Sequence, residues 1–131
     1  MNEFFRLLDE ADQLCAFNGA RFDIPFIQAQ YGITDERVGW WQLKLFDVFQ
    51  TCKLGLGRTF SLNALLEANG MPSKTDSGVN ALQMAKDQDW DRLSEYCMQD
   101  TIKTYNVSNL DVIKLPVKAG VSVLTLDGFI K

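Results

Sequence analysis

Three residues late in the chain share one helical face and could act together. Tyr96, Asp100 and Thr104 follow one another at i, i+4, i+8 in a long stretch of helical period. Leu93 and Cys97 lie beside that face and turn it inward. An Asp in mid-helix among apolar neighbours costs free energy unless something pairs with it. A divalent cation such as Mg²⁺ or Mn²⁺ is one such partner, because hard cations select carboxylate oxygen. A tyrosine one turn earlier is placed to orient, or take a proton from, a water beside the ion. Taken alone, the same pattern fits an exposed helix face with an ordinary Tyr and Asp.

A second string lies near the start: Asn18-Gly19-Ala20-Arg21-Phe22-Asp23-Ile24-Pro25-Phe26. It follows the apolar run Leu14 to Phe17, which reads as a buried strand entering a tight turn, with Gly19 free to take a positive φ. Asp23 then falls in the first turn of a helix, where the helix dipole favours a carboxylate. Singly, Asn18 is a turn residue and Asp23 an N-terminal Asp. Together they set an amide and a carboxylate at the carboxyl end of a strand, where open α/β sheets place their sites.

Composition narrows the chemistry. The 131 residues fit one domain, and nine Phe with three Trp allow a substantial core. There is no His, which removes His general bases and Cys/His zinc sites. Cys15, Cys52 and Cys97 are too few and scattered for a disulfide framework, and read as small buried thiols of a reducing compartment. With 17 acidic against 13 basic residues, the chain lacks the clustered Lys and Arg that hold nucleic acid by counterion release. Such a balance still allows a strand to be gripped through carboxylate-bound metal. With no membrane-length apolar run and no signal-peptide layout at the N-terminus, the expectation is a soluble, intracellular protein without a membrane partner. Arg21, Arg58 and Lys74 are read as solvated charges, and Trp40 and Trp41 as core or lid aromatics.

The elements that must position these residues are mostly helical. The sequence predicts helices over residues 2–12 (Phe4, Phe5, Leu7, Leu8 and Ala11 on one side), 22–30, 47–54, 61–70, 78–86 and 91–110. Pro25 is tolerated in the first turn of the second, Gly32 ends it, and Ser61 caps the fourth before Gly70 and Pro72. Strands are expected at Leu14 to Phe17, within Trp40 to Phe46, and in the tail at Val121 to Leu126. The expected organisation is one unit over residues 1–110 and a C-terminal tail over 111–131.

NGARFDIPFI at residues 18–27 resembles the second motif of the DEDD-type 3′–5′ exonucleases, and YCMQD at 96–100 resembles the third motif of their tyrosine-bearing branch. Between them, Phe46-Asp47-Val48 resembles a family helix start and Phe60-Ser61-Leu62-Asn63-Ala64-Leu65 a second one. Lys74 and Gly78 sit where a Lys/Gly loop precedes the last helices. The resemblance spans roughly residues 13–110 and lies closest to the exonuclease domains related to family B DNA polymerases. It implies an α/β, ribonuclease H-like fold and removal of nucleotides from a 3′ end, most naturally of single-stranded DNA, with two Mg²⁺ or Mn²⁺ ions. By the same resemblance Asp23 serves the more loosely held metal and Asp100 the tighter one. Tyr96 orients the attacking water, and Asn18 and Phe22 lie near the 3′-terminal nucleotide.

The chain departs from the family at one point. The first motif, Asp-x-Glu on the central strand, is absent: no Asp-x-Glu occurs anywhere. Asp87-Gln88-Asp89 and Asp89-Trp90-Asp91 read as solvated charges and an N-cap, and Asp127 as a turn residue after a strand. The implied fold is therefore truncated at its N-terminus by three strands. Leu14 to Phe17 should then show an uncovered edge for another chain, a second copy or the C-terminal tail. As written, the chain is expected to be an incomplete or weakly active exonuclease. The alternative is a non-catalytic exonuclease-like module that binds nucleic acid or a protein partner.

Overall fold

The computed structural model describes residues 2–73, 78–116 and 122–125. Element order is α1 (Asn2–Glu10), β1 (Leu14–Ala16), α2 (Asp23–Tyr31), α3 (Asp35–Leu43), β2 (Leu45–Asp47), α4 (Val48–Leu56), α5 (Leu62–Ala68), α6 (Gly78–Lys86), α7 (Trp90–Ser108), β3 (Val112–Leu115) and β4 (Ser122–Thr125). The α/β class and the dominance of helix agree with the reading of the sequence.

β1 and β2 are parallel, in register Leu14↔Leu45, Cys15↔Phe46, Ala16↔Asp47. Alternation along them sends neighbouring side chains to opposite faces, and each face meets its own apolar cluster. Leu14 and Leu45 pack toward Phe5, Ile24 and Trp41. Phe46 and Phe17 pack toward Val48, Leu65, Leu66, Val107, Ile113 and Leu115. Leu65, Leu66 and Val107 are wholly buried, each contributing about 1.5–3 kcal/mol relative to exposure. Ile113 and Leu115 of β3 belong to this same core, so the chain continues into the fold beyond residue 110.

Local signals explain most helix starts. Ser61 Oγ accepts from the Ala64 amide at 3.1 Å, and Asp89 accepts from the Arg92 amide at 3.4 Å, the N-cap expected of that acidic stretch. Gly32 closes α2 in the left-handed conformation. In α1, Phe5 is buried with Leu8 beside it, whereas Phe4 and Leu7 are exposed and the helix ends at Glu10.

Three expectations change. The short strand expected within Trp40 to Phe46 is present at its end, as Leu45–Asp47, and the residues before it, Asp35–Leu43, form a helix that was not expected. Thr34 is the cause: its hydroxyl accepts from the Arg37 amide at 3.3 Å, and Asp35 and Glu36 suit the positive end of α3. Trp41 from this helix is fully buried and donates its indole N–H to Asp9 at 2.8 Å, while Trp40 stays exposed. Arg37 pairs with Asp9 at 2.6 Å and, with Trp41, holds that carboxyl below the usual aspartate range. Secondly, the residue with positive φ in the turn after β1 is Asn18 (62°), not Gly19. Thirdly, Cys15 and Cys97 are exposed, and Cys52 alone is buried, its thiol pushed up to about 11 by burial.

Among the described residues β1 pairs with β2 alone, so its second edge carries no strand. The described tail segment does not cover it: Ser122–Thr125 runs antiparallel to β3. Lys74 and Asp127 lie outside the described residues.

Candidate active site

Asp47 builds the turn that carries Asp23. It is buried at the end of β2, and its Oδ1 accepts from the Asn18 amide at 2.8 Å and from the Gln50 amide at 3.2 Å. Its Oδ2 accepts from the Ala20 amide at 3.0 Å. One carboxylate thus caps α4 and ties down the turn after β1. Asn18 is secured twice, because its side-chain oxygen accepts from Gln50 Nε2 at 2.9 Å. Asn tolerates the left-handed conformation better than most residues, which is why the positive φ falls on it.

Gly19 is required for room rather than for φ. A Cβ there would lie 2.6 Å from Ala16 Cβ and 3.3 Å from Asp23 Oδ2. Gly19→Ala is therefore expected to destabilise the domain by about 1–3 kcal/mol, since β1 or Asp23 must move to admit it. Urea unfolding followed by tryptophan fluorescence reads this directly.

From the turn, α2 starts at Asp23, and Ile24 is buried to anchor it. Asp100 arrives from the middle of α7. Its Oδ1 is sealed from solvent, and the next turn is fixed by Thr104, whose hydroxyl donates to the Asp100 carbonyl at 2.8 Å. Asp23 and Asp100 line one cavity of about 430 Å³, with Ala16, Phe17, Cys97 and Thr104 also in its wall. The two carboxylates of the separated sequence strings therefore line one cavity at the carboxyl end of β1. Tyr96, Asn18 and Phe22 are not among the residues lining it; Tyr96 is half-buried on α7 and Phe22 is exposed at the start of α2.

Electrostatics single out Asp23. Burial, and then the neighbouring Asp47 carboxylate, push its carboxyl above the ordinary aspartate value. A raised folded-state value means that the folded chain holds the proton more tightly. The associated stability is present below about pH 4 and lost as pH rises through the raised value. Asp23→Asn is thus expected to raise the thermal midpoint at pH 7. The gain is about 0.5 kcal/mol, limited because solvent screens an exposed residue. Thermal melts at pH 7 and pH 3 check it, since the difference should vanish at the lower pH.

Asp47 and the exposed thiols Cys15 and Cys97 are what sequence reasoning placed incompletely. Asp47 was legible as a helix start, but nothing in the sequence links it to residues 18 and 20. Among the described residues no group of three or more His, Cys, Asp or Glu side chains is placed to hold a metal ion. Asp23 and Asp100 supply hard oxygen donors to one cavity, which fits part of a divalent-cation site.

A family model described as the RNase H superfamily matches residues 1–110. The chain belongs to the RNase H superfamily. No curated protein and no solved structure matches it. The small parallel sheet flanked by helices is consistent with a domain of this superfamily, and the matched span ends just beyond α7. Among the described residues, no helix of this RNase H-like chain is long and apolar enough to cross a membrane.

Proposed function

We propose that the chain acts as a 3′–5′ exonuclease domain, hydrolysing phosphodiester bonds at nucleic-acid 3′ ends, with single-stranded DNA as the preferred substrate. The observation that carries this reading is the shared cavity: Asp23 and Asp100, far apart in sequence, face one space at the end of β1. Membership of the RNase H superfamily supports nuclease-type chemistry.

In this reading Asp100 holds the tighter of two Mg²⁺ or Mn²⁺ ions and Asp23 the looser, and such ions stabilise the attacking and leaving oxygens of the scissile phosphate when bound. The resemblance of YCMQD to the third motif gives Tyr96 the role of orienting the attacking water. Tyr96 lies one helical turn before Asp100 on α7 and outside the cavity wall, so it must turn toward the cavity when substrate binds. Phe22, exposed beside the turn, stacks on the terminal base, and Asn18 fixes the backbone there. Asp47 holds Asp23 in place without touching substrate. Two carboxylates are too few for two ions, so in this reading the remaining donors come from a strand bearing Asp-x-Glu, which this sequence lacks, set against the edge of β1 that carries no strand among the described residues.

The absence of a three-ligand group among the described residues favours one competing reading, a non-catalytic module that binds nucleic acid or a protein. A single assay separates them. The chain is incubated with 5′-labelled single-stranded DNA and Mn²⁺, alone and with a peptide or fusion supplying an Asp-x-Glu strand. The exonuclease reading expects a ladder that shortens from the 3′ end and stops when the terminal linkage is blocked. DNA that stays intact under every complement, while still bound, establishes the module.

A further inference from the structure

α3 exposes a stripe that packs against little of the chain, Lys44 Nζ lying 6.0 Å from the centre of its Trp40 ring. Glu36, Gly39, Trp40 and Leu43 follow i, i+3, i+4, i+7 spacing on one face. Leu43 is 82% and Trp40 59% exposed, whereas the neighbouring Trp41 is wholly buried. Two hollows flank the ridge. One of about 700 Å³ runs along Thr34, Glu36 and Arg37, and another of about 470 Å³ lies against the end of α1, at Asp9 to Asp12. Trp40 and Leu43 belong to both, and neither hollow shares a lining residue with the Asp23–Asp100 cavity.

Gly39 makes the stripe unusual. Glycine is the poorest helix former apart from proline, yet it sits at the centre of α3. A Cβ at this position would meet nothing within 4 Å, so no packing inside the chain calls for a glycine. What a bare position on an exposed face permits is close approach by a second backbone.

Charge selects the partner. Asp12 and Glu36, one in each hollow, form no ion pair among the described residues. The nearby cations are engaged: Arg37 with Asp9 at 2.6 Å, and Lys44 Nζ donating to the Asp9 and Ala11 carbonyls at 2.8 and 2.7 Å. We propose that this face docks an amphipathic helix from another protein. Its apolar stripe covers Trp40 and Leu43, its backbone crosses at Gly39, and its Lys or Arg residues meet Asp12 and Glu36. A second copy of the chain fits less well, because isologous pairing would return the same two carboxylates toward each other. Single-stranded nucleic acid would stack on Trp40, but its phosphates would face carboxylates instead of a basic groove.

The test is fluorescence anisotropy of a labelled helical peptide with a Leu stripe and Lys flanks, titrated with the wild-type chain, Leu43→Asp and Gly39→Gln. Both variants are expected to weaken binding at least tenfold. Gly39→Gln should at the same time raise the thermal midpoint, because a better helix former enters open space. Binding and stability then move in opposite directions, which a folding defect does not mimic. The proposal is overturned by unchanged affinity in both variants or by no binding at high-micromolar concentration. Equal binding of a Glu-flanked peptide overturns it too, as does oligothymidine binding that depends on Leu43. A wild-type dimer that Leu43→Asp dissolves assigns the face to self-association instead.

Discussion

Asp47→Ala is expected to destabilise the domain by about 3–5 kcal/mol, among the largest losses any single substitution here should produce. Three backbone amides converge on this buried carboxylate: those of Asn18, Ala20 and Gln50. Hydrogen bonds to a charged acceptor contribute roughly 1.5–3 kcal/mol each, and alanine leaves all three donors unmet in a buried place. The helix cap on α4 goes with them, itself about 1 kcal/mol. Asp47→Asn separates the contributions. Its amide oxygen can keep the bonds made by Oδ1 to Asn18 and Gln50, but its NH₂ group opposes the Ala20 amide. A loss of about 1–3 kcal/mol is expected, the cost of one unsatisfied buried donor. Both substitutions remove the negative charge beside Asp23, so its carboxyl should titrate closer to the ordinary aspartate value. Urea unfolding gives the energies, and NMR titration of the Asp23 carboxyl gives the second effect. An Asp47→Ala chain within 0.5 kcal/mol of the wild type would show that the turn is held by something else.

Asp100→Asn is expected to lower 3′ trimming by the complemented chain about a thousandfold, equivalent to about 4 kcal/mol of transition-state stabilisation. The substitution preserves volume and replaces one carboxylate oxygen by an amide that a hard cation does not favour. Because the residue lies midway along a 19-residue helix, the fold should survive and the loss should be chemical. Tyr96→Phe removes only the hydroxyl that orients the water. It should cost less, about ten- to a hundredfold, toward the low end of what a positioned proton-transfer group contributes. A Tyr96→Phe loss larger than that of Asp100→Asn would reverse the assigned roles.

How much of this was legible in the sequence depends on the reach of each signal. Caps at Ser61 and Asp89, the stop at Gly32 and the period of α7 act within one or two turns, and all are read correctly from neighbouring residues. α3 was missed although Thr34-Asp35-Glu36 marks its start, because Trp40, Trp41 and Leu43 look as suitable for a strand as for a helix. The positive φ was assigned to Gly19 by propensity, whereas the observed turn gives it to Asn18 and reserves Gly19 for space. Cys15 and Cys97 looked buried by their neighbours in sequence. Both are exposed, and both line the cavity shared by Asp23 and Asp100, which no neighbouring residue in the sequence foretells. Asp23 and Asp100 were singled out by type and spacing, but their convergence on one cavity depends on how β1 and α7 pack. The clamp from Asp47 to residues 18 and 20 spans nearly thirty positions and had no local signature.

The claim that Asp23 and Asp100 serve one hydrolytic site is tested most directly by a double-mutant cycle on trimming. Single-turnover rates on 5′-labelled single-stranded DNA are compared for the complemented wild-type chain, Asp23→Asn, Asp100→Asn and the double variant at saturating Mn²⁺. Residues acting as a unit lose nearly everything on the first substitution, so the double variant should be no slower than the slower single. Losses that multiply independently, or a single variant that trims at the wild-type rate, would contradict a shared site.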